Sequence, residues 1–220
     1  MLGNRLERIN MPVYIEDNQE ILYQRNQYEK GGVGRLYWNY RDKAIMPHIA
    51  KSDKFIVDIG CGEGITLENL NRHFPEKYFL GLDPLKENLV ICAQHKLKII
   101  GGDIYNLPFN NCSFDCILLL EVIEHLLWPD LAILEIQRIL KPKGKLILIF
   151  PNDKIFKIAR IILCKFKEAF YNPGHTKQWT PANIKGLLTH NGLRILKQQS
   201  IPFFIWSLSL HHIVICEKMA

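Results

Sequence analysis

Two glutamates and a histidine interrupt an apolar run near the middle of the chain. Residues 118–126 read LLLEVIEHL, which places Glu121, Glu124 and His125 among leucine, isoleucine and valine. Burying ionisable groups in such surroundings is unfavourable unless they are paired, solvated or bound to a ligand. Their side chains suit four roles: metal ligands, a general base, the wall of a binding pocket, or structural hydrogen bonding. The rest of the sequence is needed to decide among these four roles.

A glycine loop follows the apolar segment FIVDI, residues 55–59. In the sequence DIGCGEG, the residues Gly60, Gly62 and Gly64 allow a tight turn and a close approach of the backbone to a ligand before a helix begins. The spacing G-x-G-x-G misses the dinucleotide fingerprint G-x-G-x-x-G, because position 65 is isoleucine. The loop therefore predicts a nucleotide-type ligand without naming it.

Three aspartates stand at the ends of successive predicted strands. Asp58 ends the first strand, where its carboxylate can bind a ligand's ammonium group through water. Asp83, in LGLDP, ends the second strand and is placed for a bidentate hold on ribose hydroxyls. Asp103, in GGDIYNLPF, follows the third strand and can accept from the exocyclic amine of an adenine, with Ile104 against the ring face.

The elements that must position these residues follow an alternating pattern. Apolar strand-like runs alternate with amphipathic segments, which predicts a parallel sheet with helices on both faces. We predict strands at 55–59, 78–82, 97–100, 114–120, 145–150, 193–199 and 211–217, and helices at 64–73, 86–95, 130–140 and 181–190. The segment KPKG supplies a stop and a turn after the third of these helices. We expect one domain over 1–220, with 1–50 as a helical N-terminal cap and GGVG (31–34) as its hinge or turn.

Composition bounds the class of protein. A chain of 220 residues that is 48% apolar fits one domain with a sizeable core. No secretory signal and no apolar stretch long enough to span a bilayer is evident, so we expect a soluble, cytoplasmic protein. The net charge of +6 suits an anionic ligand, nucleic acid or a membrane surface without selecting among them. The six cysteines form no C-x-x-C pair and are interpreted as reduced core thiols.

Six segments in chain order carry a family resemblance: DIGCGEG, LD, GDIYNLPF, SFD, EVIEH and RILKPKGKL. Over about residues 54–150 this series resembles the class I S-adenosylmethionine-dependent methyltransferases. It is closest to the small-molecule subgroup that includes the ubiquinone and menaquinone methyltransferases. The resemblance implies an α/β, Rossmann-like doubly wound sheet of seven strands, mostly parallel with an antiparallel last strand, and helices on both faces. A nicotinamide-dependent dehydrogenase, the competing enzyme class, would place the third glycine one position later and would not explain GDIYNLPF.

The resemblance implies that S-adenosyl-L-methionine is the cofactor. Its binding positions carry over to the ends of the first four strands, and Glu121 matches a position that lines the methionine end of the cofactor. The implied positions are Asp58, Gly60, Cys61, Gly62, Asp83, Pro84, Asp103, Ile104 and Glu121. Asp115, in SFD, fits structural bonding at least as well as chemistry.

Three interpretations of EVIEH stay open. In the first, Glu121 contacts the cofactor, Glu124 bonds backbone amides and His125 packs structurally. In the second, Glu121, Glu124 and His125 bind Mg²⁺, because E-x-x-E-H resembles the metal motif of quinone-pathway O-methyltransferases and of methyltransferases acting on small-RNA 3′ ends. His175, in NPGHTKQWTP, offers a further ligand, and the ion would lower the pKa of a hydroxyl acceptor. In the third, His125 or His175 acts as a general base.

Together these features predict methyl transfer from S-adenosylmethionine to a small-molecule acceptor, with O-methylation as the leading expectation. In-line displacement at the sulfonium methyl requires the protein mainly to align the acceptor. Substrate contacts are expected from Tyr37, Tyr40 and Arg41 in the cap and from a lid-like insertion at 151–180. The alternatives are an RNA or protein methyltransferase, or a catalytically inactive cofactor-binding regulator.

The segment 154–170, KIFKIARIILCKFKEAF, predicts a basic amphipathic helix. One interpretation is an ordinary surface helix with its apolar side on the core. The other is a peripheral contact with an anionic membrane surface, through which an apolar substrate enters. Nucleic acid is not expected as a partner, because no RNA-binding module is appended and the aromatic residues do not interleave with a basic stripe.

Overall fold

The computed structural model describes residues 24–155, 158 and 175–219. The strands of this part of the chain are β1 (Phe55–Ile59), β2 (Tyr78–Asp83), β3 (Ile99–Gly101), β4 (Phe114–Leu120), β5 (Leu140–Pro151), β6 (Leu193–Ile201) and β7 (His211–Lys218). The α-helices are α1 (Gln24–Glu29), α2 (Gly32–Ile45), α3 (Ile65–His73), α4 (Lys86–Gln94), α5 (Pro129–Ile139) and α6 (Pro181–His190). Short 3₁₀ turns occupy Met46–His48, Ile123–His125 and Trp206–Leu208.

The strands form one seven-stranded sheet in the order β3-β2-β1-β4-β5-β7-β6. All neighbours are parallel except those of β7, which runs antiparallel to both β5 and β6. The order changes direction between β1 and β4, so the loops after these strands diverge and leave a crevice at the carboxyl edge of the sheet. This architecture confirms the predicted doubly wound sheet with its antiparallel last strand.

The core occupies both faces of the sheet, and β4 contributes to each. Its residues Phe114, Ile117 and Leu119 belong to the apolar cluster that also contains α5 and α6 residues. Cys116, Leu118 and Leu120 belong to the cluster on the other face, with residues of α3. A central parallel strand that is buried on both faces reads as a continuous apolar run, which is why CILLL lacks the alternation of a half-exposed strand.

The segment KPKG differs from its prediction. We expected it to end the third helix and form a turn, but β5 begins at Leu140, directly after α5. Phe114 pairs with Leu140, and two positions later Cys116 pairs with Lys145. The four residues KPKG therefore bulge out of the ladder, with Lys143 at a φ of 63°. The turn forms within the strand because proline cannot donate to the ladder.

The described elements before β1 are helical. Residues 24–45 form α1 and α2, separated at Gly31, whose φ is 81°. Residues 1–23 lie outside the described part of the chain. Most of the predicted basic helix, 154–170, and of the predicted lid, 151–180, also lies outside it; within them, 153–155 and 158 are helical. No helix of the described residues is long and apolar enough to cross a membrane.

Candidate functional site

The glycine loop after β1 adopts a conformation that favours glycine. The φ angles of Gly60, Gly62 and Gly64 are 74°, 53° and 73°, in the left-handed region that L side chains rarely adopt. The loop also passes close to the residue after Glu121, because a Cβ on Gly60 would lie 2.5 Å from Cγ2 of Val122. Both constraints explain why the motif requires glycine at its first position.

Asp83, at the end of β2, holds this loop in place. Its Oδ2 accepts a hydrogen bond from the amide of Gly62 at 2.8 Å. Its Oδ1 accepts from the amide of Leu85 and from Nδ2 of Asn88 in α4, both at 3.0 Å. The carboxylate is buried, with 4% of the residue exposed. Each carboxylate oxygen has two acceptor sites, so Oδ2 retains capacity for a further donor.

The carboxylate of Asp58 lies near the end of β1 and is buried. The residue is only 2% exposed. Burial, together with the charges of Asp42 and Asp83, raises the pKa of Asp58 to about 7, against the opposing charge of Arg41. A buried acid with a raised pKa is suited to meet a positively charged group, which would restore its ionised form.

The remaining predicted cofactor positions lie along the same edge of the sheet. The amide of Cys61 donates to the carbonyl of Leu82 at 3.1 Å, which joins the loop after β1 to β2. Pro84 is exposed directly after β2. Asp103 is exposed beyond β3, and its Oδ1 accepts from the amide of Tyr105 at 3.0 Å. Its neighbour Ile104 is buried.

Glu121, the first residue after β4, lies at the centre of an ionic cluster. Its Oε1 accepts from Nη1 of Arg41 at 2.7 Å and from the hydroxyl of Tyr37 at 2.9 Å. Nε2 of His211 is 3.5 Å from the same oxygen. Burial alone would raise the pKa of Glu121, but the charges of His211 and Arg41 hold it well below its usual range. Glu121 is therefore ionised, and its own φ of 58° turns the chain away from β4.

Arg41 joins this cluster to the helices. The residue is 7% exposed, and its Nη2 donates to the hydroxyl of Thr66 in α3 and lies 3.4 Å from Oδ1 of Asp42. Thr66 in turn donates to Asp42 at 3.0 Å. Of the three cap residues that we expected to face the substrate, Tyr37 and Arg41 therefore reach the end of β4, whereas Tyr40 is exposed.

Sequence reasoning missed His211. It begins β7 and pairs with Pro151 of β5, which brings its ring to Tyr37 with 2.9 Å between Nε2 and the phenolic oxygen. The pair of histidines at 211 and 212 was visible at the start of a predicted strand. The position of that strand beside β5 is a tertiary feature that no local pattern indicates.

Glu124 belongs to a second group, with His125 and His175. One ligand atom from each of the three residues lies within 4.8 Å of the others. Glu124 is 2% exposed, and neither carboxylate oxygen has a hydrogen-bond partner within the part of the chain that the structure describes. Burial, and then the charge of Glu121, raise the pKa of Glu124 well above its usual value. Its backbone carbonyl, rather than its side chain, accepts hydrogen bonds, from the amide and hydroxyl of Thr176 at 2.8 and 3.0 Å.

The two histidines of this group face each other. Their rings are in a T-shaped arrangement with 4.8 Å between centroids. Nδ1 of His175 is 2.9 Å from Oδ1 of Asp153, which orients the ring and leaves Nε2 as the second nitrogen. Glu121, predicted as a metal ligand with Glu124 and His125, is not part of this group, because its carboxylate is bonded to Arg41.

The sheet order and the crevice at its carboxyl edge define the class of protein. A glycine loop after β1, acidic side chains at the ends of β1 and β2 and after β3, and a glutamate after β4 agree with the fold that the motifs imply, that of the class I S-adenosylmethionine-dependent methyltransferases. The same edge carries every predicted cofactor position.

Comparison with known proteins shows a similarity to one family. Residues 57–148 match the model of the family described as Methyltransferase domain. This part of the chain is therefore similar to methyltransferases, in agreement with the resemblance of its motifs.

Two curated relatives show the range of the matches. An uncharacterized protein of Methanocaldococcus jannaschii is 36% identical over 132 residues, which is 56% of this chain and 56% of the relative. The mitochondrial ubiquinone biosynthesis O-methyltransferase of Mus musculus is 28% identical over 155 residues, which is 64% of this chain and 41% of the relative. The chain thus spans about half the length of the curated relatives it matches.

Solved structures agree on the fold. A SAM-dependent methyltransferase of Thermotoga maritima has a TM-score of 0.68 at 20% identity, over 89% of this chain and 97% of that one. The cyclase SpnF has a TM-score of 0.66 at 15% identity, over 87% of this chain and 84% of that one. Because one neighbour is named for a cyclisation, the shared fold does not by itself specify the reaction.

The raised pKa of Asp58 makes the stability of the protein depend on pH. Between the ordinary aspartate value of 3.8 and about 7, the folded state holds a proton that the unfolded state has released. The free energy of unfolding therefore falls as pH rises through this window, by up to ~1.4 kcal/mol per pH unit. Above about pH 7 the contribution of Asp58 no longer changes with pH. Asp58→Asn removes this contribution, so the difference between wild type and variant should widen from pH 4 to pH 7. Urea unfolding of both proteins across this range measures it; a constant difference would contradict the assignment.

The bonds of Arg41 predict a large loss of stability when its charge is removed. Arg41→Met removes the guanidinium that pairs with Glu121 and Asp42. We expect the free energy of unfolding to fall by ~2–4 kcal/mol. This is less than the loss expected for a fully buried pair, because the Glu121 side chain is 27% exposed. Arg72→Met is the matched control, because Arg72 is 68% exposed and pairs with Glu68 one helical turn away. The control should lose at most ~0.5 kcal/mol. Equal losses in urea unfolding would refute the role of Arg41.

Proposed function

We propose that the protein transfers a methyl group from S-adenosylmethionine to a small-molecule acceptor, with a hydroxyl as the group that is methylated. The observation that carries this proposal is the buried carboxylate of Asp58, whose pKa is raised to about 7 chiefly by burial and which lies just before the glycine loop. A ligand ammonium group is the natural partner of such a carboxylate. The amino-acid end of S-adenosylmethionine carries that group.

The other predicted positions bind the remaining parts of the cofactor. Asp83 has acceptor capacity for the ribose hydroxyls while it holds the loop through Gly62. Asp103, exposed at the end of β3, is available to accept from the adenine amine, and Ile104 supplies an apolar surface below the ring. Glu121, held by Arg41 and Tyr37, lines the methionine end.

The bound cofactor supplies an electrophilic methyl group on a sulfonium. The residues of the chain then have two tasks, to align the acceptor and to receive its proton. His175 suits the second task, because Asp153 binds its Nδ1 and so favours the tautomer in which Nε2 is the acceptor. His125, whose ring lies against that of His175, is the alternative base.

A hydroxyl on a small molecule is favoured as acceptor by the subgroup resemblance and by the name of the ubiquinone O-methyltransferase relative. RNA or protein acceptors, and a regulator that binds the cofactor without catalysis, are the alternatives. Incubation with isotopically labelled S-adenosylmethionine and a panel of phenols, catechols and amines separates them. Label transferred to a phenol or catechol supports the proposal, and label transferred only to amines, RNA or protein overturns it.

Binding of S-adenosylhomocysteine, the product of methyl transfer, tests the cofactor site itself. We expect Asp83→Asn to weaken this binding by about tenfold or more, since it removes a charged acceptor. The matched control is Asp115→Asn, because Asp115 also accepts from two backbone amides, of Lys54 and Phe55, at the opposite edge of the sheet. Calorimetric titration should show unchanged affinity in the control. If wild type does not bind the product, or if both variants lose affinity equally, the proposed site is wrong.

We further propose a divalent cation at Glu124, His125 and His175, because a buried carboxylate with two unpaired oxygens is costly unless a ligand neutralises it. The donor set fits a metal, and Asp153 behind His175 is the outer carboxylate that often orients a ligating imidazole. One carboxylate and two imidazoles suit manganese, iron, cobalt or zinc better than the Mg²⁺ expected from the motif. When bound, such an ion would occupy nitrogens of His125 and His175, so its action as a Lewis acid towards a hydroxyl acceptor is the alternative to the use of either histidine as the base.

Titration with Mn²⁺, followed by electron paramagnetic resonance, tests this site without reference to activity. We expect one ion per chain in wild type and loss of binding in Glu124→Gln and His175→Gln. The control is His73→Gln, which changes an exposed histidine at the end of α3 and should retain the ion. If Glu124→Gln binds Mn²⁺ as wild type does, the site is refuted. In that case the raised pKa of Glu124 means a protonated, structural carboxyl group.

A further inference from the structure

Two cysteines from different elements meet beneath the glycine loop. Sγ of Cys61, within the loop, is 3.7 Å from the carbonyl oxygen of Gly62, and Sγ of Cys92, in α4, is 3.4 Å from the same oxygen. Both sulfurs therefore converge on one backbone carbonyl oxygen. The site proposed for the cofactor does not use the side chain of either cysteine.

Glycines make the space that both sulfurs occupy. A Cβ on Gly64 would lie 2.8 Å from Sγ of Cys92, and a Cβ on Gly81 of β2 would lie 2.7 Å from Sγ of Cys61. Any larger residue at either position would force a sulfur away. Each thiol is thus accommodated by a neighbouring glycine, and both remain near the carbonyl oxygen of Gly62.

The pair is chemically asymmetric. Cys61 is half-buried and is the more accessible thiol, whereas Cys92 is fully buried. The hydrogen bond that Cys61 donates lowers the pKa of Cys92, and the charge of Arg25 lowers it further, against the effect of burial. The same bond raises the pKa of Cys61. Loss of one proton from the pair therefore gives a thiolate in contact with a thiol, which is the reactive form of a dithiol.

We propose that Cys61 and Cys92 form a dithiol site that a hydroperoxide, such as hydrogen peroxide, oxidises to a disulfide. The sulfur of Cys61, which is the more accessible of the two, passes its proton to the thiolate of Cys92 and attacks one peroxide oxygen; the O–O bond breaks, the second oxygen leaves as water after protonation, and a sulfenic acid remains on Cys61. The sulfur of Cys92 then displaces the sulfenic oxygen as a second water and the S–S bond forms. Two thiols are oxidised, one peroxide is reduced, and both thiol protons leave in water.

The disulfide changes the loop to which the cofactor is proposed to bind, so this part of the inference rests on the proposed function. An S–S bond of about 2.05 Å requires the sulfurs to move well inside their contact distance. Because a hydrogen bond from Asn88 to Asp83 holds α4 in place, we expect the loop around Cys61 and Gly62 to move when the disulfide forms. The amide of Gly62 then loses its alignment with Asp83, and affinity for the cofactor falls.

The experiment treats the full chain with hydrogen peroxide and maps disulfides by mass spectrometry of a non-reducing digest. We expect a Cys61–Cys92 linked peptide that a reductant removes, and a fall of about tenfold or more in affinity for S-adenosylhomocysteine that the reductant reverses. Cys92→Ser should give neither effect, and Cys112→Ser, which changes an exposed cysteine, should behave as wild type.

Two results overturn the proposal: absence of the Cys61–Cys92 peptide from oxidised wild type, or a fall in affinity that persists in oxidised Cys92→Ser. Disulfide mapping does not depend on cofactor binding. If the reduced protein does not bind S-adenosylhomocysteine, the proposed function fails while the linked peptide still decides whether the dithiol site exists.

Discussion

The carboxylate of Asp83 is the constraint on which the arrangement of the crevice depends. Asp83 is the last residue of β2. Its carboxylate accepts a hydrogen bond from the amide of Gly62 in the loop after β1 and another from the side chain of Asn88 in α4. Three separate elements thereby take their relative positions from one side chain. Because the loop residues have left-handed φ angles, they lack a helix or sheet ladder to keep them in place. A charged acceptor supplies that restraint, and its burial strengthens the bonds it accepts.

The acidic groups around the crevice differ in how their charge is balanced. Glu121 is paired with Arg41 and remains ionised, whereas Asp58 and Glu124 have raised pKa values, chiefly because they are buried. Environments that push the pKa values of neighbouring groups apart are typical of sites with divided chemical roles. The paired glutamate belongs to the frame of the site. The two carboxylates with raised pKa values are the positions for which we propose ligands of positive charge.

Much of the fold follows from local patterns, and less of the site does. The ranges of β1, β4 and α6 were predicted from apolar runs and turn residues, because such signals are read within a few positions. The segment KPKG was misread because its proline and glycine also suit a bulge, and only the pairing of β4 with β5 distinguishes the two. The link of Glu121 to Arg41 and the approach of His211 depend on tertiary packing between distant elements. No spacing in the sequence encodes such contacts.

The position of β7 has a consequence for the order in which the molecule is made. This strand follows β6 in sequence, yet it lies between β5 and β6 in the sheet, and its first residue contacts Tyr37. A chain emerging from the ribosome exposes the edge of β5 until residues 211–218 have been synthesised. The ionic cluster around Glu121 is likewise incomplete until that moment, since His211 is one of its members. The crevice is therefore completed only after the loops that follow β1, β2, β3 and β4 have been made.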